Sequence, residues 1–345
     1  MKALVLEDKE KLIVKDIVEP NFNDNQVLVK VSYCGVCGSD VDRFRGKVHQ
    51  FPLVMGHEFS GIIEKAGQNV ADFQVGNRVA VAPLIPCNTC ENCLSGKPSH
   101  CKQYNFIGSR TNGAMAEYVV VDERNLLLIP DEVSLKEAAL LEPLTVAIHG
   151  IERINFNAGA EVVIFGAGTI GALTFLSLRA RGAGNITVID INSEKLEMAK
   201  KLGASNIINS KEIDLHEYFE NHKKPEVVLE TAGAAQSQLQ AVEIVKSGGK
   251  VVYIGTATKP VEFPPKLFEQ ILRKEIEITG SWMSYNIPFP GYEWTAGLSY
   301  IKEGIIDVKP LISAVYQLEE KEKPFVKMQD PSSNNIKFLY AINQE

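Results

Sequence analysis

Four cysteines in one short stretch of the chain have the spacing of metal ligands. They form the pattern Cys-x2-Cys-x2-Cys-x7-Cys in a segment rich in Pro, Asn, Gly and Ser, and they are Cys87, Cys90, Cys93 and Cys101. Thiolates separated by two residues can converge on one cation, and four of them complete the closed tetrahedral shell of a structural zinc. The metal would add folding energy to a loop that has few apolar side chains of its own.

Disulfides and an iron–sulfur cluster are the alternatives to structural zinc. Disulfides are disfavoured in the reducing cytoplasm, the location that we expect because the N-terminus lacks an apolar segment with a cleavage site. An iron–sulfur cluster bound by closely spaced cysteines usually has a proline after its last cysteine, whereas Lys102 follows Cys101. Structural zinc is therefore the prediction for this stretch.

A second group of candidate ligands precedes the cysteine-rich stretch. Cys37 follows Cys34-Gly35-Val36, and Gly56-His57-Glu58 comes twenty residues later. One thiolate, one imidazole and one carboxylate suit a catalytic zinc, which keeps one coordination position open for substrate or water. Taken singly, His57 is explained as a buried structural histidine, and Cys34 with Cys37 as a redox pair or two core thiols. Neither alternative explains both segments together.

A glycine-rich turn follows the apolar run Val162–Phe165 and opens a helical stretch, as in a dinucleotide-binding unit. The glycines permit a tight turn and close backbone approach, and the N-terminus of the helix attracts pyrophosphate. Asp190 ends the next apolar run, where an acidic residue accepts hydrogen bonds from the ribose 2′-hydroxyl and repels a 2′-phosphate. NAD is therefore predicted over NADP, although Asp190 alone would be an ordinary turn residue. The predicted NAD-binding residues are Gly166, Gly168, Thr169, Ile170, Gly171 and Asp190.

The secondary-structure elements that must position these residues follow two different patterns along the chain. Residues 1–130 contain short apolar runs, several of them alternating with polar residues, which predict a barrel-like β domain. From about residue 155, apolar strands alternate with helices, as in a parallel sheet covered on both faces. Residues 134–154 between them predict a long helix, interrupted near Pro143. We expect a catalytic domain over 1–150, completed by 281–345, and a nucleotide-binding domain over 151–280.

The composition of the 345-residue chain is that of a globular protein, with 45% apolar and 23% charged residues. A formal net charge of −7 argues against nucleic-acid binding, which usually needs a basic surface. The apolar runs are all shorter than the about 18 residues that a membrane-spanning helix needs. We therefore expect a cytoplasmic protein with a small-molecule substrate.

The segment around His57 resembles the signature of the zinc-containing medium-chain alcohol dehydrogenases. Gly56-His57-Glu58-x2-Gly61-x5-Gly67-x2-Val70 matches that signature at every fixed position, and the cysteine-rich stretch and the glycine-rich turn follow in the order of the family. The resemblance implies an α/β protein with a GroES-like β-rich catalytic domain and a Rossmann nucleotide-binding domain. It also implies one catalytic and one structural Zn2+ per subunit, NAD as cofactor, and a homodimer or homotetramer.

The resemblance also implies roles for individual residues. Cys37 and His57 would bind the catalytic zinc, with Glu58 ligating or exchanging in the same shell. Glu142 would bind the zinc or hold its water, since the polyol branch has a glutamate where the ethanol-active branch has a cysteine. Ser39 would receive the substrate proton; its alternative role is to cap the helix that follows. Lys195 would be a second ribose contact or else a solvated helix lysine.

Related polyol enzymes often have a histidine five residues after the zinc cysteine, and this chain has Asp42 there. His49 is the proposed substitute in the proton path.

Residues 83–87, 106–110 and 280–285, the last followed by Pro290-Gly291-x-Glu293-Trp294, resemble polyol-phosphate dehydrogenases in particular. Because arginine binds phosphate oxygens bidentately, Arg110, Arg43 and Arg45 are candidate phosphate ligands; the alternative for each is a solvated surface arginine. Trp282 is a candidate for lining the substrate pocket, with core packing as the alternative. The predicted function is the NAD-linked oxidation of a secondary hydroxyl of a polyol phosphate; the alternatives are an unphosphorylated polyol such as sorbitol, another secondary alcohol, or a non-catalytic NAD-binding redox sensor.

Overall fold

A computed structural model describes residues 1–330 and 332–343 of the chain. The chain divides into two compact units. Unit 1 comprises Met1–Thr145 and Ser284–Glu345, and unit 2 comprises Val146–Met283. Within the described residues, unit 1 contains sheets of seven, three and two strands, and unit 2 contains one sheet of six strands.

Residues 1–152 form most of the strands of unit 1. The longest of these strands, Gln26–Val36, has four valines among its 11 residues, in keeping with the preference of β-branched side chains for a pleated sheet. The elements are β1 (Lys2–Asp8), β2 (Lys11–Asp16), β3 (Gln26–Val36), α1 (Gly38–Phe44), β4 (Leu53–Val54), β5 (Glu58–Ala66), β6 (Arg78–Val81), β7 (Leu84–Ile85), α2 (Glu91–Leu94), β8 (Asn105–Phe106), β9 (Tyr118–Asp122), β10 (Leu126–Leu128), α3 (Leu135–Ala138) and α4 (Leu141–Glu152), with 3-10 turns at Pro98–His100 and Glu123–Asn125.

The helix predicted over 134–154 is two helices, α3 and α4, and the break falls before Pro143 rather than at it. Pro143 lies in the first turn of α4, where a backbone N–H would have no partner within the helix, so its missing N–H costs nothing there. The predicted interruption near Pro143 is therefore confirmed, at residues 139–140.

Unit 2 is a parallel sheet with helices between its strands. Its elements are β11 (Val162–Phe165), α5 (Thr169–Ala180), β12 (Ile186–Asp190), α6 (Ser193–Lys201), β13 (Asn206–Asn209), α7 (Leu215–Asn221), β14 (Val227–Glu230), α8 (Ala235–Ile244), β15 (Lys250–Tyr253), α9 (Pro265–Arg273) and β16 (Glu277–Gly280). The strand order is β13-β12-β11-β14-β15-β16, all parallel, with an apolar core on each face. This is the doubly wound order of a dinucleotide-binding sheet, and it confirms the prediction of a Rossmann architecture.

The chain then returns to unit 1 through α10 (Tyr292–Lys302), β17 (Ile312–Tyr316), α11 (Lys323–Gln329) and β18 (Lys337–Ala341), with 3-10 turns at Lys309–Leu311 and Leu318–Glu320. Strand β18 pairs antiparallel with β3, whose other edge pairs with β5, so the sheet order is β10-β6-β5-β3-β18-β17. The pairing brings the C-terminal strand next to the strands that carry the candidate metal ligands. Within residues 1–330 and 332–343, no helix combines the length and apolar character that crossing a membrane requires.

Candidate metal centres and nucleotide site

The four cysteines of the cysteine-rich stretch converge as predicted. Their sulfur atoms all lie within 4.8 Å of one another, with Cys87 and Cys93 3.9 Å apart and Cys90 and Cys93 3.5 Å apart. Four sulfurs bound at about 2.3 Å to one tetrahedral centre would be about 3.8 Å apart. All four thiols are free of disulfides. The donor set and its spacing fit a structural zinc.

Backbone N–H groups of the same loop point at the sulfurs. Hydrogen bonding from the backbone of Thr89, together with its hydroxyl and the N–H of Cys90, lowers the pKa of Cys87 to about 6. Burial raises the pKa of Cys93 to about 12. Hydrogen bonding from the backbone of Cys93 also lowers the pKa of Cys90, although burial opposes it. The loop therefore favours two of the thiolates by itself but disfavours that of Cys93, which a cation would have to stabilise, because a metal ligand must be the deprotonated thiolate.

The second predicted group also comes together. The donor atoms of Cys37, His57 and Glu58 lie within 4.8 Å of one another, and the last two residues are buried. Cys37 caps the N-terminus of α1, whereas His57 and Glu58 lie where the chain enters β5. Because β5 pairs with β3, which leads into Cys37, the sheet register sets this convergence. Thiolate, imidazole and carboxylate at this spacing fit a catalytic zinc.

The carboxylate of Asp40 lies against the imidazole ring of His57. Its Oδ1 lies 3.4 Å from Nδ1 of His57 and accepts a hydrogen bond of 2.9 Å from Arg43, while its Oδ2 accepts one of 3.0 Å from the N–H of Cys37. Burial alone would raise the pKa of Asp40, but His57 and Arg43 lower it to about 2. Asp40 is thus a buried carboxylate whose contacts hold two of the predicted ligands.

Ser39 does not cap helix α1, so the alternative role considered for it was wrong. The helix begins at Gly38, two residues earlier than a cap at Ser39 would require, with Cys37 as the N-cap and Asp40 as the carboxylate that closes the first turn. The Ser39 hydroxyl instead accepts a hydrogen bond of 2.9 Å from Arg43, and Arg43 also donates to the hydroxyl of Ser109 at 3.0 and 3.2 Å. The guanidinium therefore joins both serines to Asp40.

Glu142 lies in the first turn of α4. The residue as a whole is half-buried, but its carboxyl lies deep enough among protein atoms that burial raises its pKa to about 7, with His57 acting against this and Glu58 reinforcing it. Its carboxylate lies outside the group of mutually close donor atoms described above. Its role as a ligand, or as the holder of the zinc-bound water, stays a prediction.

Lys337 is a component of this site that the sequence analysis missed. Its ammonium group donates to Oε2 of Glu58 and, at 3.0 Å, to the carbonyl oxygen of Val36. Burial lowers the pKa of Lys337, but Glu58 and Cys37 raise it above its ordinary value, so the side chain is charged. A local pattern does not reveal it, because Lys337 is 279 residues from Glu58 along the chain. Asp40 did have a signal, since it follows Cys37 by three residues.

The predicted nucleotide-binding turn has the expected form. Gly166 has φ +97° at the end of β11, and a Cβ at Gly171 would clash with the carbonyl oxygen of Gly166. Gly168 is the N-cap of α5, and a Cβ there would meet no atom within 4 Å. The backbone is therefore tightly packed between Gly166 and Gly171. It is open at the N-terminus of the helix, where a phosphate would lie.

Asp190 ends β12 beside this turn. Its Oδ2 accepts a hydrogen bond of 2.6 Å from the N–H of Ala167, and its Oδ1 accepts one of 2.9 Å from Asn192. The carboxylate thus holds the glycine-rich turn, a second reason for an acid at this position. Lys195 is half-buried in the first turn of α6, and its N–H donates to the N-cap Asn192. Contact of Thr169, Ile170, Asp190 or Lys195 with NAD stays a prediction.

The residues predicted to contact substrate differ in their surroundings. Arg110 lies 3.9 Å above the ring of Tyr104 and donates to the carbonyl oxygen of the same residue at 2.8 Å. His49 is exposed, and Trp282, in unit 2, is 54% exposed. Asp42 lies 3.1 Å from the ammonium of Lys47. Roles of His49, Arg110 and Trp282 in binding substrate stay predictions.

The chain matches two protein families over most of its length. Residues 23–131 match the alcohol dehydrogenase GroES-like domain, and residues 169–301 match the zinc-binding dehydrogenase domain. The protein belongs to the zinc-containing medium-chain dehydrogenases of the polyol type. It is thus an oxidoreductase, with zinc and a nicotinamide dinucleotide as cofactors, as the sequence predicted.

Known relatives are similar over nearly the whole chain. Galactitol 1-phosphate 5-dehydrogenase of Escherichia coli K12 is 38% identical over 318 residues, 91% of this chain and 92% of that enzyme. Sorbitol dehydrogenase of Bacillus subtilis 168 is 33% identical over 356 residues, 100% of this chain and 98% of that enzyme. The crystal structure of galactitol-1-phosphate dehydrogenase from Escherichia coli matches with a TM-score of 0.93 at 36% identity, covering 99% of this chain and 100% of that one.

Proposed function

We propose that this enzyme oxidises a secondary hydroxyl of a polyol phosphate with NAD, and that galactitol 1-phosphate is the substrate and tagatose 6-phosphate the product. The observation that supports the reaction type is the convergence of the donor atoms of Cys37, His57 and Glu58 within 4.8 Å of one another, with His57 and Glu58 buried. The similarity to the Escherichia coli galactitol 1-phosphate enzyme, at 38% identity, supports the choice of substrate.

Cys37 and His57 are the proposed ligands of a catalytic zinc, with Glu58 as an exchangeable third. Zinc held there supplies a Lewis acid that lowers the pKa of the substrate hydroxyl so that its proton can leave near neutral pH. Asp40 keeps the imidazole of His57 in one orientation, because a carboxylate against one ring nitrogen determines which nitrogen faces the metal.

Ser39 is the proposed first acceptor of the substrate proton. Since the hydrogen bond from Arg43 occupies one lone pair of the Ser39 hydroxyl, its proton and its other lone pair must point elsewhere. A hydroxyl arranged in this way can take a proton from substrate and pass on its own. Ser109, which accepts from the same guanidinium, and His49 are candidates for continuing the path.

Asp190 is the proposed determinant of the cofactor. Bound NAD would supply the nicotinamide ring that accepts the hydride from the carbinol carbon of the substrate. The carboxylate of Asp190 would accept from the ribose 2′-hydroxyl and repel the 2′-phosphate of NADP. Its two backbone hydrogen bonds leave further lone pairs on its oxygens for such a contact.

A free polyol is the second candidate substrate. The similarity to the sorbitol dehydrogenase of Bacillus subtilis over the whole chain favours it. The two candidates predict the same scaffold and the same zinc chemistry, and they differ only in whether a phosphate group is recognised.

Initial rates of NADH formation test the proposal, with galactitol 1-phosphate, galactitol, sorbitol and xylitol as substrates. We expect kcat/KM to be highest for galactitol 1-phosphate and activity to be lost on removal of zinc with a chelator. A preference for galactitol or sorbitol over the phosphate would contradict the phosphate assignment. Binding of NADH without turnover of any of these substrates would instead favour a redox sensor.

A further inference from the structure

A lysine is buried beside the candidate catalytic metal ligands. Lys337 is 2% exposed, and its ammonium group contacts Oε2 of Glu58 and the carbonyl oxygen of Val36. Removing an ammonium group from water is costly unless the charge is paired and hydrogen-bonded. The chain therefore retains a costly group at this place, where an apolar residue would pack more cheaply.

The contact between Lys337 and Glu58 crosses a strand. Glu58 lies opposite Gly35 on one side of β3, and Leu339 lies opposite Gly35 on the other side. A Cβ at Gly35 would clash with Oε2 of Glu58 and would lie 2.9 Å from Cε of Lys337. Gly35 thus leaves the space through which the lysine reaches over β3 to the carboxylate.

The charges around the donor group explain what such a cation can do. Glu58, Cys37 and Asp40 are anionic or can become so, and Arg43 is already paired with Asp40. Lys337 is the cation that contacts Glu58. A carboxylate paired with an ammonium group is a weaker metal ligand, because one of its oxygens already has a positive partner.

We infer that Lys337 is a positioning residue of the metal site, which holds Oε2 of Glu58 and offsets its charge so that Glu58 binds the metal as a weak, exchangeable ligand. The inference rests on the proposed role of Cys37, His57 and Glu58 as zinc ligands. The consequence is a site that keeps a coordination position accessible and retains positive charge on the metal. A merely structural lysine would not affect metal exchange.

The rate of zinc release to a chromogenic chelator tests the inference with the full-length zinc-loaded protein. In Lys337→Met, Glu58 loses its positive partner and becomes a stronger ligand, so release from the catalytic site should slow by about 10-fold, the factor that corresponds to about 1.4 kcal/mol of lost ion-pair interaction. Lys309→Met is the matched control, because Lys309 is also paired with a glutamate, Glu137, at 3.3 Å but is exposed. Release from that variant should equal the wild-type rate.

A second background separates the action through Glu58 from a general effect of charge. In Glu58→Gln, the additional change Lys337→Met should slow release much less than it does with Glu58 present. An equal effect in both backgrounds, or faster or unchanged release in Lys337→Met, overturns the inference.

If Lys337→Met does not fold, Lys337→Arg decides the question. This variant keeps the charge, so the inference expects release within about twofold of the wild-type rate, well below the change of about 10-fold expected for loss of the charge. A change as large as that expected for loss of the charge overturns the inference.

The zinc content of the wild-type protein distinguishes failure of the proposed function from failure of the inference. One zinc per subunit refutes the catalytic site itself. Two zincs with unaltered release in the lysine variants refute only the role of Lys337.

Discussion

Oδ1 of Asp40 lies 3.4 Å from Nδ1 of His57, and both residues are buried. We propose that this contact directs Nε2 of His57 toward the metal. The same carboxylate accepts a hydrogen bond from the N–H of Cys37. One aspartate therefore positions two of the predicted ligands, which are twenty residues apart in the chain.

Asp40→Asn should weaken the catalytic metal site without unfolding the protein. The amide is similar in size, but it lacks the charge that aligns His57 and pairs with Arg43. We expect zinc affinity at this site to fall by about 10- to 100-fold, with a matching loss of activity at limiting zinc. Metal analysis after dialysis against graded zinc concentrations measures the change. Asp42→Asn, whose carboxylate contacts the exposed Lys47, is the control and should retain both zincs.

A substitution in the cysteine-rich stretch should remove the structural zinc and leave the catalytic zinc in place. Cys93→Ser removes one of four sulfurs that lie within 4.8 Å of one another, and a serine hydroxyl does not replace a thiolate in such a shell. We expect one zinc per subunit to be lost and the melting temperature to fall, because the metal contributes folding energy to this loop. Cys34→Ala changes a buried cysteine outside both groups and should retain two zincs. Two zincs in Cys93→Ser would refute the structural site.

How much could be predicted from the sequence depended on the distance over which each feature is encoded. The cysteine-rich stretch and the glycine-rich turn are defined by short spacings along the chain, so their residues could be identified. The alternation of strands and helices predicted the Rossmann sheet. The contact of Lys337 with Glu58 depends on β18 pairing with β3 late in the chain, which is a tertiary event without a local pattern. The break was predicted near Pro143 and lies just before it, because a proline is tolerated in the first turn of a helix but not in its interior.

Asp190→Asn should shift cofactor preference. The neutral amide cannot repel a 2′-phosphate and is a weaker acceptor for the ribose hydroxyl, so the ratio of kcat/KM for NAD to that for NADP should fall by about 10-fold, equivalent to about 1.4 kcal/mol, the order of one charged hydrogen bond. Initial rates with each cofactor measure it. Asp214→Asn is the control, since Asp214 caps helix α7 of the same unit. An unchanged ratio would show that Asp190 only holds the glycine-rich turn through Ala167.

Arg43→Met tests whether the guanidinium positions the Ser39 hydroxyl. Ser39→Ala should lower kcat by about 100-fold, the order of one step of general acid–base catalysis. Arg43→Met should also lower kcat at saturating zinc, a condition that is needed because Arg43 pairs with Asp40 as well, and its effect should be smaller in the Ser39→Ala background, where the shared interaction is already lost. Arg45→Met, an exposed arginine that donates to Gln329, is the control. Fully additive effects of the two changes would separate Arg43 from Ser39.

The capping box at α3 predicts a pH-dependent contribution to stability away from the metal sites. The N–H of Ser134 donates to Oε2 of Glu137 at 3.0 Å, and Lys309 lies 3.3 Å from Oε1. Burial alone would raise the pKa of Glu137, but the hydrogen bonds from Ser134 and the charge of Lys309 lower it. A lowered pKa in the folded state means that this stabilisation is present above the unfolded-state pKa of about 4.3 and is lost as the pH falls below it.

Glu137→Gln should therefore lower the free energy of unfolding by about 1 kcal/mol at pH 7, the usual value of a helix cap, and its difference from wild type should shrink as the pH falls through 4. Glu132→Gln is the control, because Glu132 is exposed and forms a loose ion pair with Lys302, at 3.9 Å. Exposed pairs of this kind contribute little to stability. Urea unfolding of both variants and wild type between pH 7 and 3.5 measures the difference. A deficit in Glu137→Gln that stays constant over this range would mean that the carboxylate acts by its shape, since a charge-dependent cap must weaken once the charge is lost.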